Sequence, residues 1–128
     1  MYKSEKLYYR KAFFMAMIMG VILFLPFVLI DGGYFIYYGD YNAQQIPFYT
    51  LCNQAIKNGS FMWSWQTDIG ANFIGSYSFY TLGSPFFWLT LPFPSEAVPY
   101  LMGPLLILKF GCASLTGFIY LKRYVRTP

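Results

Sequence analysis

Two long apolar runs enclose a mixed, aromatic middle, and that pattern predicts most of the architecture. Ala12 to Ile30 holds 19 residues without a charge. At ~1.5 Å of rise per residue it matches the hydrocarbon thickness of a bilayer. Its apolar part is too long for a secretory signal, and Ile30-Asp31-Gly32-Gly33 supplies no small-x-small cleavage site. Residues 12–30 therefore read as a transmembrane helix, bent near its far end by Pro26. Val98 to Leu121 spans 24 residues, enough to cross with some tilt, and contains Pro104 as a kink. It carries Lys109 near its middle and Ala113 and Gly117 as a small-xxx-small face. A lysine at that depth must face protein or water rather than lipid. Residues 1–11 form a basic leader and residues 122–128 a basic end.

Residues 31–97 follow a different rhythm. Asp31-Gly32-Gly33 ends the first span, and Tyr34 to Tyr38 reads as an interfacial turn or short helix. Phe48, Leu51, Cys52 and Ala55 fall at i, i+3, i+4 and i+7, one face of a helix. Pro47 suits its first turn and Asn58-Gly59 its end, so a short amphipathic helix along a membrane surface is expected. Ser60 to Trp65 is aromatic, and the glycines and serines from Gly70 to Gly83 predict a compact loop. Ser84-Pro85 opens a further turn. Phe86 to Phe93 is too short to span and reads as re-entrant or interfacial, stopped by Pro92 and Pro94. The fold class that follows is an all-α membrane protein, with two transmembrane helices joined by a large loop bearing short interfacial helices.

Composition and charge orient this picture. Hydrophobic residues make up 57% of the chain and charged ones 11%, far from a soluble domain. Aromatics reach 23%, suited to rings lying at headgroup depth. The net charge of +4 does not imply nucleic acid, because the basic residues are flanks. Lys3, Lys6, Arg10 and Lys11 precede the first span; Lys122, Arg123 and Arg126 follow the second. Asp31, Asp40, Asp68 and Glu96 outnumber Lys57 in the connecting region. The positive-inside rule then places both ends in the cytoplasm and residues 31–97 outside. With no His and only Cys52 and Cys112, no disulfide framework or usual zinc site is expected. A divalent cation held by carboxylates stays open, and no organic cofactor is expected. Two spans cannot bury so much aromatic loop and a mid-membrane lysine. The chain thus reads as the front of a larger multi-pass protein, or one subunit of an assembly, ending as if truncated at Thr127-Pro128.

The candidate chemistry centres on Asp40, with the amides of Gln44 and Gln45 one helical turn on. A carboxylate at the bilayer edge, part-desolvated yet ionised, suits a general base that deprotonates an acceptor hydroxyl. The competing reading is a helix cap. Trp63, Trp65, Tyr77 and Tyr80 offer a stacking platform for a sugar or, alternatively, an interfacial belt. Asp68 is either an accessory acid or a turn residue, and Lys57 a surface lysine near a helix end. Lys109 either pairs with an acid of another helix or contacts a buried anion. No phosphate-binding glycine loop, Ser/His/Asp arrangement or nucleic-acid motif is present.

In order along the chain stand Gly39-Asp40, Gln45-Ile46-Pro47-Phe48, Gly59-x-Phe61, Trp63-Ser64-Trp65, Gly70-x-Asn72-Phe73, Gly75 through Tyr80 and Leu82-Gly83-Ser84-Pro85-Phe86-Phe87. Together they resemble the N-terminal portion of the YfhO family of bacterial multi-pass membrane proteins, over most of Asp31 to Arg123. The resemblance implies a GT-C type glycosyltransferase of the bacterial cell membrane. Its donor would be a polyprenyl-phosphate sugar and its acceptor a polymer such as lipoteichoic acid of Gram-positive bacteria, on the outer face. It places Asp40 as the essential acidic residue of the first outer loop, the catalytic base. Gln44, Gln45, Trp63, Trp65 and Asn72 then become candidate substrate contacts. The chain is several times shorter than a family member, so the 128 residues alone are expected to be inactive. Asp68 also stands where a small residue would be expected. Rival expectations are a transporter or flippase of lipid-linked sugar, and a non-catalytic assembly subunit docking a partner with its aromatic loop.

Overall fold

The computed structural model describes residues 2–33, 39–67 and 69–125, with side chains from Lys6 onward. Helix α1 runs Tyr2–Ile30 and continues through Pro26, so leader and apolar run form one helix. At ~1.5 Å per residue it is about 43 Å long. It stops where Gly32 and Gly33 take φ of 64° and 99°, a left-handed turn that ends helices cheaply only with glycine. Tyr34 to Tyr38 lie outside the described residues. A single π-helical turn, Tyr41–Gln45, leads into α2, Ile46–Lys57. Asn58 caps α2, and Gly59 follows with φ 70°. A two-residue ribbon comes next, with β1 (Trp63–Ser64) antiparallel to β2 (Ala71–Asn72) and Trp63 opposite Asn72. Two short helices follow, α3 (Phe73–Tyr77) and α4 (Pro85–Trp88). A 3₁₀ turn at Ser95–Ala97 then starts the second long helix, α5, Val98–Lys122.

Helices α1 and α5 pack as an antiparallel hairpin. The Tyr9 ring meets Phe118 edge-on at 5.7 Å, Ser114 Oγ donates to the Ala12 carbonyl at 3.0 Å, and Gly20 faces Ile107. Lys122 Nζ lies 3.4 Å from Tyr9 Oη and over that ring, so both basic ends share one end of the hairpin. A close approach is made at Gly111. A Cβ there would lie 2.8 Å from Met17 Cγ and 2.9 Å from the Phe13 ring. The small face named above, Ala113 and Gly117, is not this contact. Ala113 is exposed, and a Cβ on Gly117 would meet nothing within 4 Å.

Both long helices leave apolar side chains uncovered, among them Met15, Met19, Ile22 and Leu29. Exposing such area to water costs about 25 cal/mol per Å², a penalty that a bilayer removes. The chain is an all-α membrane protein with two helices long and apolar enough to cross.

The buried core lies at the other end of the hairpin, where α2 packs on the start of α5. Tyr49, Cys52, Ala55, Phe73, Tyr77, Phe87, Val98 and Met102 form it. The face of α2 turned inward is Tyr49, Cys52, Asn53 and Ala55, rotated from the one read off the apolar spacing. Asn53 on this face is matched across the core through its Nδ2 only, its buried Oδ1 having no hydrogen-bond partner among the described residues. Asn53 Nδ2 donates to the Thr90 carbonyl at 2.8 Å, Thr81 Oγ1 contacts Cys52 Sγ at 3.3 Å, and Thr67 Oγ1 donates to Tyr77 Oη at 2.9 Å. Phe86 to Phe93 accordingly forms one helical turn and tight bends held by α2, with Lys57 donating to the Phe93 carbonyl.

Candidate functional site

Asp40 begins the helical stretch that becomes α2, and its side chain is exposed. Gly39, at φ 85°, makes the chain reversal one residue earlier, and its carbonyl accepts from the Asn42 and Ala43 amides at 3.1 and 2.9 Å. Asp40 therefore enters already helical, at φ −59° and ψ −28°. A capping carboxylate needs an extended backbone to reach the amides ahead of it. Asp40 makes no side-chain cap bond, and among the described residues no cation pairs with it. The cap reading is thereby set aside. Tyr41 anchors the turn, donating from its hydroxyl to the Met102 carbonyl at 3.0 Å. Asp40 thus stands near the end of the hairpin opposite the basic termini.

Gln44 and Gln45, in the π turn itself, are half-buried and make no side-chain hydrogen bond to described residues. Asp40, Gln44 and Gln45 are neighbours along this one turn.

Trp63 and Trp65 lie elsewhere. They line a cleft of about 290 Å³ with Leu51, Gln54, Ala55, Asn58, Ser60, Ser64 and Gln66. The lining residues from Leu51 to Asn58 lie toward the C-terminal end of α2, about 17 to 27 Å along the helical stretch from Asp40 at ~1.5 Å per residue. The indoles meet edge-to-face at 5.8 Å and 74°. Both sit on Gly70, where a Cβ would lie 3.0 Å from each ring. Gly70 has φ 106°, a second reason for glycine there. Asn72 is exposed and serves a structural role, its Oδ1 accepting from the Gly75 amide at 2.9 Å to cap α3. Tyr77 does not join the platform: it is buried against Phe48 and Phe73. Tyr80 packs edge-on against Phe48. Asp68 lies outside the described residues.

Lys109 is half-buried beneath the connecting region. Its Nζ stands 5.6 Å from the Tyr49 ring centre and 5.5 Å from that of Phe86. Ring faces of this kind partly compensate a desolvated cation. Among the described residues no carboxylate pairs with it, and no three Cys, Asp or Glu side chains gather as metal ligands.

Sequence reasoning missed Gln54, Asn58 and Gln66. The signal was available for two of them: Gln54 and Asn58 are four apart on α2, on the face turned away from its core. Buried Cys52 carries no such chemistry. Burial pushes its thiol up to about 11, against a smaller opposing effect of the Thr81 hydroxyl.

An antiparallel pair of membrane-length helices, capped at one end by an aromatic helical region that presents an exposed acid, defines an α-helical integral membrane protein. The chain belongs to the family of the bacterial membrane protein YfhO, whose family model matches residues 12–128. No curated protein and no solved structure matches it.

Proposed function

We propose that this chain forms part of a membrane glycosyltransferase of GT-C type that uses a polyprenyl-phosphate sugar as donor. The acceptor is a hydroxyl of a cell-wall polymer such as lipoteichoic acid, on the outer face of the cell membrane. The observation that carries this reading is Asp40: a carboxylate released from capping, exposed among the described residues rather than part-desolvated as expected, on a turn docked to α5 at the hairpin end away from the basic termini. Family membership supports it. In the proposed reaction the acceptor oxygen attacks the anomeric carbon and its proton passes to Asp40. The bond from that carbon to the phosphate oxygen breaks, and polyprenyl phosphate leaves with the electron pair. Phosphate is a good leaving group, so one carboxylate suffices. Gln44 and Gln45 supply amides to hold the acid or a sugar hydroxyl.

The test is Asp40→Asn in the full-length protein, reconstituted with donor lipid and polymer. Transfer is expected to fall by a factor on the order of 10² or more, the contribution of a general base, with thermal stability unchanged. Transfer at the parental rate would remove Asp40 from the chemistry. Donor lipid crossing the bilayer with no glycosidic bond formed would identify a carrier instead. Failure to bind donor lipid at all would leave an assembly subunit. Residues 1–128 expressed alone are expected to transfer nothing.

A further inference from the structure

We propose that the cleft between α2 and the Trp63–Gln66 segment binds a neutral sugar unit, at a subsite separate from Asp40. Its chemistry selects the ligand. Two indoles line the cleft, and an indole face suits the C–H face of a pyranose ring without demanding charge. Around them stand the amides of Gln54, Asn58 and Gln66 and the hydroxyls of Ser60 and Ser64, which both donate and accept, as sugar hydroxyls do. A cavity of about 290 Å³ accommodates one such ring with its water.

Among the described residues no charged side chain lines the cleft. Lys57, on the same helix, is committed to the Phe93 carbonyl. Among the described residues a phosphate or carboxylate would therefore find no counter-charge, which argues against a lipid headgroup as occupant.

Preorganisation separates this cleft from an ordinary belt of interfacial tryptophans. Trp63 and Trp65 remain 52% and 78% exposed, yet their relative angle is set by seating on the Gly70 backbone. Belt residues need only depth, not a fixed mutual geometry. Rigid, exposed aromatic surface beside unengaged amides spends little entropy on binding.

Glucose and N-acetylglucosamine serve as neutral probes, with glucose 6-phosphate as the charged comparison. Saturation-transfer NMR is run on the full-length protein in nanodiscs, without donor lipid. At least one neutral sugar is expected to bind, and the phosphorylated one more weakly. Gln54→Ala and Gln66→Ala, exposed positions that leave the fold intact, are each expected to weaken binding roughly fivefold, the value of a lost hydrogen bond. Trp65→Ala is expected to weaken it roughly tenfold. Asp40→Asn should bind the sugar as the parent does, so the subsite stands or falls apart from the catalytic reading. Absence of neutral-sugar binding would overturn the proposal, as would binding indifferent to Gln54→Ala, Gln66→Ala and Trp65→Ala. Tryptophan substitutions that alter only association with vesicles would return both rings to the membrane belt.

Discussion

Asp40 and Cys52 show how far a residue's chemistry is set by its immediate backbone. An aspartate ahead of a helix ordinarily caps it. Here Gly39 turns the chain one position early, so Asp40 has helical angles and its carboxylate is left uncommitted. Cys52 is the opposite case, a nucleophile by type made inert by burial. Its pKa of about 11 lies above the ordinary 9.0, because the thiolate is penalised inside the core. The neutral thiol thus favours the folded state fully below pH 9, and that contribution is lost as pH rises to about 11. In a Cys112→Ala background, maleimide is expected to label Cys52 slowly at pH 8, and fast only on unfolding or near pH 11. Rapid labelling at pH 8 in the folded protein would contradict the burial.

At the scale of elements, the hairpin of α1 and α5 depends on one close approach. Gly111 lets the Phe13 ring and Met17 lie against the α5 backbone. Overfilling such a contact costs about 1–3 kcal/mol. Gly111→Ala is expected to lower the unfolding temperature in detergent, whereas Gly117→Ala, with open space around it, should change stability by less than about 0.5 kcal/mol. Equal effects would mean that Gly117 is also packed in the protein as purified. Helix α2 shows why periodicity located the element and much of its inner face, with Cys52 and Ala55 in the core and Phe48 and Leu51 packed against it, but missed Tyr49 and Asn53. Apolar spacing favoured Phe48 and Leu51, yet Asn53 is fully buried because Thr90 offers it a carbonyl and a hydroxyl. That partner is 37 residues away, and no local pattern announces it.

For the whole molecule, the antiparallel hairpin puts both basic ends together and the aromatic region at the other end. Positive residues flanking spans favour the cytoplasm, so the aromatic region is expected outside. Ser76→Cys, in a background lacking Cys52 and Cys112, should react with an impermeant maleimide in intact cells. Lys6→Cys should react only after permeabilisation. The reverse pattern would put Asp40 in the cytosol and end the proposed outer-face chemistry.

Membrane character, the two long helices and the end of α2 at Asn58-Gly59 were legible in the chain itself. Each rests on local physics: a run of apolar residues as long as a bilayer is thick, or a glycine that alone tolerates φ of 70°. Asp40 was legible as a candidate, but not its freedom from capping. The grouping of side chains into sites belonged to tertiary structure, because it depends on contacts between residues far apart in sequence. Only the folded chain puts Gly70 under both indoles, turns Gln54 and Asn58 toward them, and sets that cleft a helix length from Asp40.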